Sequence, residues 1–186
     1  KISQNTKAII PVHLYGHPAN MTKILKIAKR YKLKIIEDCA QAHFAQWKGQ
    51  NVGTFGDIGA FSFFPGKNLG AYGDAGCIIT NDDELAYKSR IFANHGGLIK
   101  NEHNIEGINS RMDGLQASIL SVKLKYITKW TEMRIRNAHY YNSQINDVID
   151  IETPVIHQSA KHVFHLYVIK TNCRDKVIEY LRENNV

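Results

Sequence analysis

A strand–helix–strand alternation at the start of the chain limits its fold more than any other feature. Ala8-Ile9-Ile10-Pro11-Val12-His13 is a short apolar run closed by the turn residues Gly16, Pro18 and Asn20. Asn20 is an N-cap candidate for a helix with Ile24, Leu25, Ile27, Ala28 and Tyr31 on its apolar face and Lys23, Lys26, Lys29 and Arg30 on its wet one. A second apolar run, Leu33-Lys34-Ile35-Ile36, follows and ends on the acidic pair Glu37-Asp38. Strands joined by a crossover helix of this length lie parallel, with a right-handed connection. Ligands of such sheets bind beyond the carboxyl ends of the strands, which is where Asp38 stands.

The pattern continues. Ile58 to Phe64 reads as a third strand, leading into Pro65-Gly66-Lys67-Asn68-Leu69-Gly70. Ala75 to Thr80 reads as a fourth, followed by Asn81-Asp82-Asp83-Glu84, acids that favour the start of a helix running to about Asn94. His95-Gly96-Gly97 stops that helix. From Asp113 to about Asn142 only Gly114 interrupts, and Leu115, Ile119, Val122, Tyr126, Trp130 and Met133 recur at helical spacing, which predicts one long amphipathic helix or two. Val163 to Ile169 reads as a strand opening a smaller C-terminal unit.

At 186 residues, 44% hydrophobic and 22% charged, the chain has globular composition and can bury a core without staples. No apolar run approaches the ~18 residues of a membrane-spanning helix. The three cysteines stand far apart without a C-x-x-C, which excludes a disulfide framework or thiolate zinc site and suits a reducing compartment. Lys and Arg number 24 against 17 Asp and Glu, a net charge of +7 that raises the question of nucleic acid. Those charges lie along helix faces, at Lys23, Lys26, Lys29 and Arg30 and at Lys123, Lys125, Lys129, Arg134 and Arg136, with no nucleic-acid-binding motif beside them. A solvated face is the ordinary meaning of such runs. The start at Lys1 and the stop at Val186 inside a helical pattern suggest the middle of a longer protein.

Lys67 stands alone among apolar residues and glycines just past a strand. Gly66-Lys67 invites a phosphate-loop reading, which fails because Phe61 occupies the first glycine position and Asn68 the Ser/Thr position. A desolvated lysine is a good imine-forming nucleophile, since apolar surroundings free its lone pair. Asp38 could simply cap the turn after its strand. Paired with Lys67, it suggests pyridoxal phosphate, which needs a lysine for the imine and a carboxylate to keep its ring nitrogen protonated. Ser62 and nearby backbone amides could hold the phosphate.

Several segments in order resemble the DegT/StrS family of nucleotide-sugar aminotransferases, pyridoxal-phosphate enzymes of the aspartate-aminotransferase fold, fold type I. They are His13-Leu14-Tyr15-Gly16, Glu37-Asp38-Cys39-Ala40-Gln41-Ala42-His43, Phe61 to Gly70 continuing through Gly73-Asp74-Ala75-Gly76, Gly107 to Asp113, and Phe164 to Ile169. The resemblance covers essentially the whole chain. It implies an α/β fold with a mostly parallel sheet flanked by helices, plus the start of a small C-terminal α+β domain. The corresponding division is residues 1–110 for part of the large cofactor-binding domain, 111–146 for a long connecting helix and 147–186 for the small domain. The family's N-terminal Gly-Thr phosphate segment and ring-stacking aromatic are not among these residues.

By the same resemblance Lys67 is the imine-forming lysine and proton shuttle, and Asp38 the partner of the pyridinium nitrogen. Gln41 sits beside the ring and its phenolic oxygen, Ser62 is a phosphate ligand, and Asn109 reaches the phosphate of a neighbouring subunit's cofactor, which makes a homodimer functional. His43, Arg111 and His165 are weaker substrate-contact candidates; a packed histidine is the ordinary alternative for both histidines, and pairing with Asp113 for Arg111. Some relatives carry histidine in place of the lysine and dehydrate their substrate, so Lys67 favours transamination. The expected reaction moves an amino group from an amino acid, glutamate by resemblance, to a keto-sugar nucleotide such as a dTDP-linked 3-keto-6-deoxyhexose. The expected setting is cytoplasmic deoxyaminosugar and polysaccharide synthesis, O-antigen included, without a metal, nucleic-acid or membrane partner. A non-catalytic sensor or aminosugar-binding protein of the same fold is the alternative.

Overall fold

The strand–helix–strand unit forms in the computed structural model, which describes residues 1–186. Strands β1 (Ala8–Ile9) and β2 (Lys34–Asp38) pair in parallel, with Ala8 opposite Lys34, and helix α1 (Met21–Tyr31) crosses between them. The Asn20 side chain accepts a hydrogen bond from the Lys23 amide at 3.1 Å, so the cap works as read. Lys32, in the left-handed region at φ 53°, turns the chain out of the helix toward β2.

After a short hairpin of β3 (Gln46–Trp47) and β4 (Gln50–Asn51), β5 (Ile58–Ser62) lies parallel to β2 with Asp38 opposite Ala60. Strand β6 (Gly76–Ile79) then pairs antiparallel to β5, so the sheet is mixed but mostly parallel, in the order β1-β2-β5-β6. Helix α2 (Asp83–Ala93) follows, with the Asp82 carboxylate accepting from the Glu84 and Leu85 amides.

The periodic stretch after Asp113 becomes two helices, α3 (Gly114–Leu124) and α4 (Ile127–Ile145). At the break the Lys125 and Tyr126 amides bond carbonyls three residues back, Val122 and Lys123, which tightens the turn and ends the i→i−4 ladder. Beyond α4 come β7 (Ile151–Glu152), β8 (Ala160–Lys161), β9 (Lys170–Thr171) and α5 (Arg174–Glu183). Strand β8 joins β3, and β9 pairs with β7.

The Val163–Ile169 run does not form the expected strand. Phe164 adopts φ 45°, which breaks an extended chain. The Val163 amide bonds Gly16 O at 3.0 Å and the Leu166 amide bonds Tyr15 O at 3.3 Å. This segment is a loop fastened onto the turn after β1, and its backbone groups find partners there instead of in a sheet.

The core is built in three patches. Met21, Ala28, Ile35 and Trp47 pack between α1 and the sheet, and Cys39, Ala42, Ala45, Val52 and Val163 pack beneath the strand ends. Leu69, Ala71, Leu120 and Ile127 support the loop that carries Lys67. Each buried Met, Ile, Leu or Val among them contributes about 1.5–3 kcal/mol by leaving water, and each alanine less.

Candidate active site

The carboxyl end of β2 is held by Glu37, which is fully buried. Its carboxylate accepts from the amides of Gly53 (2.8 Å), Phe55 (2.7 Å) and Gly56 (2.8 Å) and from His13 Nε2 at 3.0 Å. Burial alone would raise its pKa, but these donors together outweigh it and hold the carboxyl below its usual value. Cys39 completes a buried cluster with His13 and Glu37 that has the composition of a metal site. Its chemistry is otherwise: both Glu37 oxygens are occupied by N–H donors, and burial beside Glu37 and Asp38 pushes the Cys39 thiol up, away from the thiolate a metal needs.

Asp38 follows Glu37 and projects from the opposite side of the strand. Its backbone is clamped by Asp38 N to Pro11 O at 2.9 Å and His13 N to Asp38 O at 3.1 Å. Asp38 Oδ1 accepts from the Ala40 amide at 3.0 Å, so the turn-capping role is real and uses one oxygen; Oδ2 has no protein partner. Gln41 Oε1 accepts from the Tyr15 amide at 2.6 Å, which leaves its NH2 group free to donate.

On the neighbouring strand, Ser62 ends β5 and Lys67 lies in the loop beyond. The loop closes through Lys67 N to Phe64 O at 2.9 Å and Ala71 N to Phe63 O at 2.7 Å. A Cβ on Gly70 would lie 2.3 Å from Pro65 O, so only glycine permits this closure. Helix α3 fastens the loop from outside: Lys123 Nζ donates to Gly70 O at 2.6 Å and lies over the Tyr72 ring, while Gln116 accepts from the Tyr72 amide at 2.8 Å. Lys67 is half-buried and forms no ion pair. It lines a groove of about 1270 Å³ together with Ser62, Arg90 and Arg111. The Ser62 hydroxyl oxygen accepts from the Phe64 amide at 3.3 Å and keeps its own proton to donate.

His43 and His165 both gather near Lys67, whose charge acts on each. His43 is buried between Phe61 and Phe63, and neither ring nitrogen has a partner. Burial pushes it down to about 4, so it is neutral at physiological pH. His165 is half-buried and held below its ordinary value by burial, Lys67 and Arg134. Asn68, beside Lys67 in sequence, bonds His165 Nδ1 at 3.1 Å and donates to Val163 O at 3.2 Å.

Asn109 and Arg111 lie apart from Asp38, on the exposed segment between α2 and α3. Arg111 Nε donates to Asn109 Oδ1 at 3.2 Å, and its Nη1 to Asn94 Oδ1 at 3.3 Å. The alternative pairing of Arg111 with Asp113 is not formed, because the two asparagine carbonyls take the guanidinium. The structure thus gathers Lys67, Ser62, His43 and His165, places Asp38 and Gln41 on the adjacent strand end, and leaves Asn109 on an outer surface. The sequence reading missed Asn68, Gln116 and Lys123. Only the position of Asn68 beside Lys67 hinted at a role, since the other two act across 44 and 53 residues of chain.

The mostly parallel sheet, with a lysine loop beyond one strand and a carboxylate ending the next, makes this an α/β protein with a candidate ligand site at its strand ends. The model of the DegT/DnrJ/EryC1/StrS aminotransferase family matches residues 1–186, and the chain belongs to that family. It is 47% identical over 186 residues to a dTDP-3-amino-3,6-dideoxy-alpha-D-galactopyranose transaminase of Aneurinibacillus thermoaerophilus, covering 100% of this chain and 51% of that protein. It is also 47% identical over 187 residues to a Geobacillus stearothermophilus protein called pleiotropic regulatory protein, covering 100% of this chain and 50% of the other. The chain therefore spans about half the length of these relatives. Among solved structures, S. venezuelae DesV in complex with a ketimine intermediate superposes with a TM-score of 0.96 at 40% identity, covering 98% of this chain and 49% of that one. NtdA from Bacillus subtilis with bound cofactor PMP gives 0.84 at 39% identity, covering 95% and 41%.

Proposed function

We propose that the protein is a pyridoxal-phosphate-dependent aminotransferase that transfers an amino group from an amino acid, glutamate in our reading, to a keto-sugar nucleotide, a dTDP-linked 3-keto-6-deoxyhexose. The observation that carries this is Lys67: half-buried, without an ion pair, beyond the carboxyl ends of parallel strands and next to the strand that ends in Asp38. The named activity of the Aneurinibacillus relative supports the substrate class.

The residues fit the cofactor by their unused valences. Asp38 Oδ2 is available to hold the proton on the ring nitrogen, and Oδ1 is already fixed by Ala40. The Gln41 NH2 and the Ser62 hydroxyl are donors without acceptors, suited to a phenolate oxygen and a phosphate. When bound, pyridoxal phosphate supplies the electron sink that stabilises negative charge at the reacting carbon. Lys67 Nζ then gives and takes the proton at that carbon.

Asn109 supports a homodimer in this reading. Arg111 occupies its carbonyl, which leaves the exposed NH2 group without a partner and able to donate to a phosphate. We assign residues 1–110 to part of the large domain, 111–146 to the connecting helices and 147–186 to the start of the small domain. No helix is long and apolar enough to cross a membrane, and the three free cysteines agree with a cytoplasmic location. The name of the Geobacillus relative favours a second, regulatory reading. Assay of the complete protein on a panel of keto-sugar nucleotides with glutamate separates the two: glutamate-dependent amination of one sugar is expected, and cofactor binding without turnover on any would overturn the catalytic reading.

A further inference from the structure

We infer that Asn68 is a positioning residue that fixes the tautomer of His165, so that the imidazole presents a bare Nε2 acceptor, and not an N–H or a cation, beside Lys67. The inference rests on the proposed function only for its use of that acceptor, which is to accept a hydrogen bond from a hydroxyl group of a sugar substrate.

Asn68 is buried, 6% exposed, and touches two groups of the C-terminal segment. Val163 O, 3.2 Å away, is a carbonyl and can only accept, so the atom of Asn68 facing it is the NH2 group. Turning the amide over would set two acceptors against each other in a buried place and leave both unsatisfied. With the NH2 group committed, Oδ1 is the atom that meets His165 Nδ1 at 3.1 Å. An amide oxygen accepts only, hence His165 carries its proton on Nδ1, and a neutral ring then has its lone pair on Nε2.

The surroundings keep the ring neutral. Burial, Lys67 and the Arg134 guanidinium all act against a positive charge on His165, and His43 is a further neutral imidazole in the same group. Arg134 also donates to Phe164 O at 3.3 Å, which ties the same segment to α4. Asn68 therefore joins the lysine loop to residues 163–165 across more than 90 residues of chain, and sets the chemistry of the histidine it tethers.

The test is long-range 15N–1H spectroscopy of histidine-labelled holoenzyme without substrate. In the wild type, His165 Nδ1 should resonate as a protonated, pyrrole-type nitrogen and Nε2 as an unprotonated, pyridine-type one. In Asn68→Ala the Nε2 signal should move toward the protonated range as the tautomer bias is lost. In the near-isosteric Asn68→Asp, the carboxylate should favour the imidazolium, protonating both nitrogens near neutral pH and moving the acid limb of the kcat profile upward. KM for the sugar substrate should rise about tenfold in Asn68→Ala, the loss of about one hydrogen bond. A wild-type His165 protonated on Nε2, or a tautomer unchanged in Asn68→Ala, would overturn the inference. The tautomer shifts are read without turnover, so an enzyme inactive on every sugar tested would overturn the proposed function and leave them standing.

Discussion

His13 Nε2 donates to Glu37 at 3.0 Å with both side chains fully buried, and the bond is that of a neutral imidazole to a carboxylate. The proton's place follows from the other ring nitrogen: His13 Nδ1 accepts from the Ala19 amide at 3.0 Å, so it carries no hydrogen. The two residues join the turn after β1, the end of β2 and the Gly53–Gly56 loop, and Asp38 is the next residue along. Glu37→Ala would strand three backbone N–H groups and the His13 N–H in the core. Such uncompensated buried donors cost on the order of 3–5 kcal/mol, which urea unfolding should register. A loss below about 1 kcal/mol would mean the network contributes little.

Acid should destabilise the fold in two separable windows. His43 and His162 are buried and both pushed down to about 4 from an ordinary 6.5, burial being the main cause. The unfolded chain therefore binds more protons than the folded one between these values, and stability falls as pH drops from about 6.5 to about 4. The contribution is complete above that window, and reaches at most about 3 kcal/mol per histidine. Glu37 and Asp57, both held low, add their losses only below about 4.5. Melting temperature measured against pH should show the upper window shrink in His162→Phe, whose ring can keep the stack on Phe164; an unchanged slope would remove His162 from the account.

Gly70, in the lysine loop, and Gly114, at the start of α3, should respond oppositely to alanine. Gly70→Ala places a methyl 2.3 Å from the backbone oxygen of Pro65, so the lysine loop must open, and cofactor retention and activity should both fall. Gly114→Ala meets nothing within 4 Å at the first position of α3 and should leave stability unchanged or raise it by up to about 1 kcal/mol. Paired measurements of melting and cofactor occupancy check both, and equal behaviour of the two would show that the loop closure tolerates a Cβ.

The sheet, α1 and its Asn20 cap were legible because each rests on local pattern: apolar runs of strand length, a helical stripe and a capping side chain within one turn. The positions of Asp38 and Ser62 at strand ends, and of Lys67 in the loop after one of them, were legible for the same reason. What escaped was decided across the chain. Val163–Ile169 has strand composition, yet the carbonyls of Tyr15 and Gly16 capture its amides. Asn68 looked like a mismatch to a phosphate loop, and its role exists only once Val163 and His165 fold back onto it. Arg111 found Asn94 and Asn109 where charge alone suggested Asp113.

Asp38 and Lys67 can be tested against each other in the complete protein. Borohydride reduction of the cofactor-loaded enzyme should fix the cofactor covalently to Lys67, located by peptide mass; an adduct on another lysine, or none, would refute its role. Asp38→Asn is the informative partner variant. Its side-chain oxygen can still accept from the Ala40 amide, as Oδ1 does at 3.0 Å, so the turn should survive. What it lacks is the negative charge that holds a proton on the ring nitrogen. Cofactor binding and the Lys67 adduct should persist while kcat falls by about a hundredfold or more, within the range that misplacing one catalytic proton costs. Near wild-type turnover in Asp38→Asn, with the adduct intact, would mean that the carboxylate serves the turn alone.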